Sequence, residues 1–179
     1  MHKLLYIFGL LTDLDIHWIA RAGARRRLKD GDSLIERGKP LESVFLVLEG
    51  ELVVSTKHAG AIARRGAGEI VGEMSLVDSA PASATVVADG ESLILSLSKN
   101  MLQQKLAADL GFGFRFYKGL AIVLADRLRE MQEQALSHGH YLTAELKGEI
   151  DGVIVRQISS AGERFDRMLR VLKDIDADT

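Results

Sequence analysis

The sequence predicts a mainly β protein with flanking α-helices: a β-sandwich or barrel led by a short helix and followed by longer ones. Three observations carry this. Between residues 24 and 98, glycines at 31, 38, 50, 60, 66, 68, 72 and 90 punctuate short β-branched and leucine-rich runs, the texture of short strands rather than of a parallel α/β sheet. Ahead of that stretch, Thr12 is followed three residues on by Asp15, a capping-box spacing. Behind it, Tyr117, Leu120, Leu124, Leu128, Met131 and Ala135 recur at intervals of three and four, one apolar stripe on a long helix.

In chain order, residues 1–23 form an N-terminal helical segment. The apolar start, Leu4 to Leu11, is too short to span a bilayer and runs straight into Asp13 and Asp15, so neither a signal peptide nor a membrane anchor is expected. Residues 12–22 read as a helix capped by Thr12, with Leu14, Trp18 and Ile19 on its apolar face and Gly23 ending it. The β region spans 24–98, with strands expected at 44–48, 51–54, 84–88 and 92–97 and a tight hairpin at Glu49-Gly50-Glu51. A hinge and long helix follow over 99–137, ended by Ser137-His138-Gly139-His140. Its stripe either packs on the β core or forms a homodimer seam through 116–136. In the tail, 141–179, Ser160 and Glu163 repeat the capping pattern ahead of Phe165, Leu169, Leu172 and Ile175, which predicts a final amphipathic helix. Gly148 and Gly152 leave 142–158 open.

Composition narrows function. The chain has 179 residues, enough for a sizeable core, with 47% hydrophobic and 27% charged residues, as in ordinary soluble domains. A net charge of -2 argues against a general nucleic-acid binder. The one dense basic run, Arg25-Arg26-Arg27 with Lys29, sits beside Asp30 and Asp32 and reads as a solvated strand edge. There is no cysteine, which excludes disulfides, thiolate metal sites and a cysteine nucleophile and fits a cytoplasmic setting. His138 and His140 have no third ligand nearby and read as exposed polar residues. Asp13, Asp15 and His17 are explained by capping and surface charge. Ser159 and Ser160 lack a nucleophile-elbow context, and no paired carboxylates or P-loop appear, so the chain is not expected to be an enzyme.

The most informative stretch is 71–86, VGEMSLVDSAPASATV. Gly68 and Gly72 permit close ligand approach. Residues 73–77 can form one helical turn whose free N–H groups favour an anion. Ser83 can donate to a phosphate oxygen, and Thr85 alternates to the same side of the following strand. Met74, Leu76 and Val86 read as core. This stretch resembles the phosphate-binding cassette of the cyclic nucleotide-binding domain family, written G-E-[LM]-[AS]-L-x(4)-P-R-[AS]-A-[TS]-V. "LLTDLDIHWIA" is similar to that family's leading helix, "LKDGDSLIERGKPLESVFLVLEGELVV" to its first strands, and 112–135 to its hinge and lid helices. The resemblance covers Leu11 to Arg129 and implies a jelly roll of the catabolite activator type. It also implies a ligand site at Gly72, Glu73, Met74, Ser75, Pro81, Ala82, Ser83, Ala84 and Thr85, with Glu73 accepting from a ribose 2′-hydroxyl. No resident cofactor is called for; the implied ligand is a cyclic nucleotide, cAMP or cGMP.

One position departs. Where the family places an arginine after the proline to pair with the cyclic phosphate, this chain has Ala82. Losing a hydrogen bond to a charged group costs about 1.5–3 kcal/mol, or roughly ten- to hundredfold in affinity. Three readings stay open. A cyclic nucleotide binds with a substitute cation, for which Arg64 and Arg65 are the nearest candidates, although they also read as a solvated pair. The pocket takes a different ligand, such as a less charged or larger nucleotide. Or the pocket is vestigial and the domain is a scaffold or oligomerisation module. Retention of Gly72, Glu73, Pro81, Ser83 and Ala84 favours ligand sensing. The expected output is a protein partner or self-association. The six basic and eight acidic residues of 141–179, with no helix-turn-helix pattern, disfavour DNA binding and a membrane role is not expected.

Overall fold

The structure, a computed structural model, describes residues 5–57, 60–138 and 161–177. Helices α1 (Leu5–Leu10) and α2 (Asp13–Ala22) lead into strands β1 (Ala24–Leu28), β2 (Ser33–Ile35), β3 (Ser43–Thr56), β4 (Gly60–Gly66) and β5 (Ile70–Val71). A single-turn helix α3 (Met74–Asp78) precedes β6 (Thr85–Ser98). Helices α4 (Lys99–Ala108), α5 (Leu110–His138) and α6 (Ala161–Ala177) complete the described chain.

The six strands form one antiparallel sheet in the order β1-β6-β3-β4, with β2 also on β6 and β5 also on β3. This is the mainly β architecture with flanking helices that the sequence predicts. Strand alternation sends side chains to two cores. From β3, Val44, Leu46 and Leu48 join Leu95 and Leu97 of β6 against α1, α2, α4, α5 and α6. Phe45, Val47 and Leu52 face the opposite way and meet Leu28, Leu34, Ile35, Val71, Val86 and Ile94 inside the roll.

The expected hairpin at Glu49-Gly50-Glu51 is absent. The runs 44–48 and 51–54 are one 14-residue strand, and 84–88 with 92–97 is another. They pair with each other along almost their whole length, with register shifts on either side of Glu49. Gly50 has φ +84, and a β-carbon there would stand 2.6 Å from the Glu91 carbonyl oxygen. The glycine therefore serves a bulge between two crowded strands rather than a chain reversal. Positive φ is common to both, which is why the sequence misleads here.

The capping box at α2 is present: Thr12 N–H donates to Asp15 Oδ2 and Asp15 N–H to Thr12 Oγ1. The apolar face differs from expectation. Leu14 is 82% exposed, whereas Asp15, Ile16, Ile19 and Ala20 are buried. The helix is turned so that Asp15 receives Arg115 of α5 through two hydrogen bonds of 2.7 and 3.0 Å.

The apolar start forms α1, which buries Ile7 and Phe8. Over 99–137 the chain divides at Asp109 into α4 and α5, and the Asp109 carboxylate accepts the Phe112 N–H. The α5 stripe divides too. Leu120 is buried with Phe112 and Phe116, while Tyr117, Leu128 and Met131 are exposed. Helix α6 packs on α1 and α2, with Met168 and Leu172 buried and Arg164 donating to the Phe8 and Gly9 carbonyls that end α1. The Ser160 cap, Ser159, His140 and residues 142–158 lie outside the described residues.

Candidate functional site

The cassette 71–86 runs from the end of β5 through α3 into β6. Gly72, at φ +81, turns the chain; a β-carbon there would stand 2.7 Å from Leu41 Cδ2, so only glycine fits without a shift. Beyond it α3 buries Ser75 and Leu76, and Ser75 Oγ donates to the Gly72 carbonyl at 3.0 Å. Ser75 thus braces the turn. Leu76 and Val86 are core, as read from the sequence. Met74 is not: it is half exposed, and its sulfur rests 3.8 Å from Ser83 Oγ. A one-turn helix has a single buried face, and Ser75 and Leu76 occupy it.

The site residues fall into two groups. Ala82, Ser83 and Thr85 line an open cleft together with Arg37, Gly38, Ser55, Thr56 and Lys57. Three segments meet there. The β2–β3 loop is tied to the cassette by Gly38 N–H to the Ala82 carbonyl at 2.8 Å and Ala82 N–H to the Lys39 carbonyl at 3.0 Å. Arg37 N–H donates to Thr85 Oγ1 at 3.3 Å, and Ser55 pairs with Thr85 across β3 and β6. Pro81 is exposed and Ala84 partly so, at the joint between α3 and β6.

Glu73 belongs to the second group. It is 4% exposed and makes an ion pair with Arg127 of α5. Arg127 also donates to the Ile70 carbonyl at 2.6 Å. Beside this pair lies Arg65, largely buried, 3.6 Å from Glu69 and 4.0 Å from Glu130. Burial pushes the Arg65 guanidinium below its usual range, and the charge of Arg127 adds to that. Two arginines and several carboxylates thus bind the strands on either side of the β4–β5 turn to the middle of α5.

Arg64 and Arg65 are therefore not one solvated pair. Arg64 is exposed and held by Glu51 and Asp89, while Arg65 is buried toward α5. Consecutive strand residues point to opposite faces. Arg127, Arg37 and Lys57 were not singled out in the sequence. Arg127 sits in an ordinary helical pattern with no motif around it, and Arg37 and Lys57 reach the cleft only once β2, β3 and β6 pair. Among the described residues no cluster of three or more His, Asp or Glu could hold a metal ion, and no helix is long and apolar enough to cross a membrane.

A six-stranded roll with a Gly-Glu turn, a single-turn helix and a long following helix defines a cyclic nucleotide-binding-type domain. Residues 25–109 match the family model described as "Cyclic nucleotide-binding domain". The chain is similar to a cAMP-dependent protein kinase regulatory subunit from Hypocrea atroviridis, 29% identical over 100 residues, covering 56% of this chain and 21% of that protein. The chain spans about a fifth to a quarter of the length of the curated relatives it matches. A cyclic nucleotide-binding domain from Methylobacillus flagellatus superposes with a TM-score of 0.68 at 27% identity, over 80% of this chain and 85% of that one. The Thermus thermophilus catabolite activator protein shares the fold, with a TM-score of 0.61 at 21% identity over 96% and 88% of the two chains.

Proposed function

We propose that this chain is a regulatory, non-catalytic sensor of a cyclic nucleotide, cAMP or cGMP, that passes occupancy of the cassette to α5. The observation that carries this is the Glu73–Arg127 pair. The family resemblance gives Glu73 to the ribose hydroxyl of the ligand. Here the same buried carboxylate is also the partner of an α5 arginine, which in turn holds the Ile70 carbonyl. A ligand that hydrogen-bonds Glu73 changes how strongly Arg127 is held, and so differs in affinity between arrangements of α5. That differential is what a population shift requires.

The output we assign is self-association. Along α5, positions 110, 114, 117, 121, 124, 128 and 131 keep the alternating spacing of four and three that two helices need to pack side by side. Of these, Leu110, Phe114, Tyr117, Leu128 and Met131 are 46–80% exposed. Light scattering on wild type and on the Leu128→Glu/Met131→Glu variant tests it, with a dimer expected for the first and a monomer for the second.

A thermal-shift series with cAMP, cGMP and cyclic dinucleotides tests the sensor itself. A ligand that binds only the folded state raises the melting temperature. A flat response to every nucleotide would leave the second reading, a degenerate domain serving as a scaffold, which Ala82 in the arginine position favours.

A further inference from the structure

The cassette carries no charge at residue 82, yet the cleft that Ala82 lines is cationic. Arg37 and Lys57 both line it, alongside the hydroxyl-bearing Ser83 and Thr85. Neither cation has an ion-pair partner among the described residues. The charges nearest Arg37 in sequence are satisfied elsewhere: Glu36 pairs with Lys39 at 2.5 Å. The two arginines expected from the sequence to substitute for residue 82 are committed too, Arg64 to Glu51 and Asp89, Arg65 to Glu69 and Glu130.

The backbone ties Arg37 to the cassette at the mouth of this cleft. Its N–H donates to Thr85 Oγ1, and the next residue donates to the Ala82 carbonyl. Lys57 follows the end of β3, two residues beyond Ser55, which pairs with Thr85. Two strands and a loop thus bring two cations and a set of hydroxyls to one mouth.

We infer that Arg37 and Lys57 together supply the countercharge for the phosphate group of the ligand, in place of a cation at residue 82. This rests on the proposed nucleotide site and adds to it where the phosphate is held. A cation on the cassette itself would sit close against the bound phosphate. Two exposed side chains at the rim act more weakly each and are screened more by salt.

The test uses the full chain, titrated with cAMP, with cGMP and separately with inorganic phosphate. Binding is followed at the amides of Ser83 and Thr85 by NMR, in wild type and in Arg37→Gln/Lys57→Gln. Both side chains are exposed, so the variant should melt like wild type, which the same samples verify. Phosphate and nucleotide should each shift these amides, bind roughly tenfold more weakly in the double variant, and lose most of their salt dependence there. If inorganic phosphate behaves in this way while neither nucleotide binds, the cation site stands and the nucleotide reading falls. If a nucleotide binds equally to both proteins, the nucleotide reading stands and the cation site falls. Failure of every anion to shift Ser83 and Thr85 overturns both.

Discussion

The two halves of the cassette region are built in opposite ways. Around Glu73, charges are buried and paired: Glu73 with Arg127, Arg65 with Glu69 and Glu130. Around Ala82, they are exposed and face an open cleft: Arg37 and Lys57 have no ionic partner among the described residues. A buried pair has already given up its water, so removing one member leaves the other stranded at high cost. An exposed cation keeps its water and loses little when removed, but an arriving anion can use it. The first half is suited to holding α5, the second to meeting a ligand.

The largest expected effect breaks the first half. Arg127→Gln leaves Glu73 buried without its cation and removes the donor to the Ile70 carbonyl. Destabilisation of about 3–5 kcal/mol is expected, read as a lower midpoint in urea. In the double variant Arg127→Met/Glu73→Met, much of that loss should be recovered, because neither member of the pair is left buried without the other. If Arg127→Gln unfolds like wild type, the pair is not the connection proposed here.

A second buried pair supplies a control away from the cleft. Burial pushes the Asp15 carboxyl up, but the hydrogen bonds from Arg115 and the Thr12 backbone, with the charge of Arg115, outweigh it and hold the group below the ordinary carboxylate range. A group depressed in the folded state contributes stability above its unfolded value and loses it as pH falls through the folded one. Asp15→Asn should therefore cost about 1.5–3 kcal/mol near neutrality, and less with each step of acidification below about pH 4. Urea midpoints against pH for both proteins give the comparison. Ligand binding should be untouched, which separates a stabilising pair from one coupled to the cassette.

Ala82→Arg restores a charge to the second half without touching the first. Cyclic nucleotide should bind roughly ten- to hundredfold more tightly, by calorimetry, if the rest of the cassette is intact. With the new arginine in place, Arg37→Gln/Lys57→Gln should matter less than it does in wild type.

How far the sequence discloses this depends on range. Local signals were legible: the Thr12–Asp15 box, the Gly-Glu turn of the cassette, the core positions Leu76 and Val86, and the α6 helix. What failed needed tertiary knowledge. Gly50 reads alike as a turn or a bulge until β6 is laid beside it. The α5 stripe reads as one face until Phe112, Phe116 and Leu120 turn toward the core. Glu73 stands out in the sequence as a candidate, but its partner Arg127 lies 54 residues away on a helix with no motif.

The smallest expected effect is also the one that most sharply divides sequence proximity from site geometry. Arg64 lies just upstream of the cassette and was a candidate for the missing cation. In the structure it is exposed between Glu51 and Asp89, and those carboxylates hold its guanidinium above its usual range, Asp89 first. An arginine already satisfied by two acidic groups offers no net charge to a phosphate, and at this exposure the pairs themselves are screened by water and salt. Arg64→Gln should therefore leave both the melting temperature and the ligand affinity unchanged, measured beside Arg37→Gln on the same day and in the same low-salt buffer. A loss of affinity in Arg64→Gln that exceeds the loss in Arg37→Gln would move the phosphate toward β4 and reverse the assignment of the two halves.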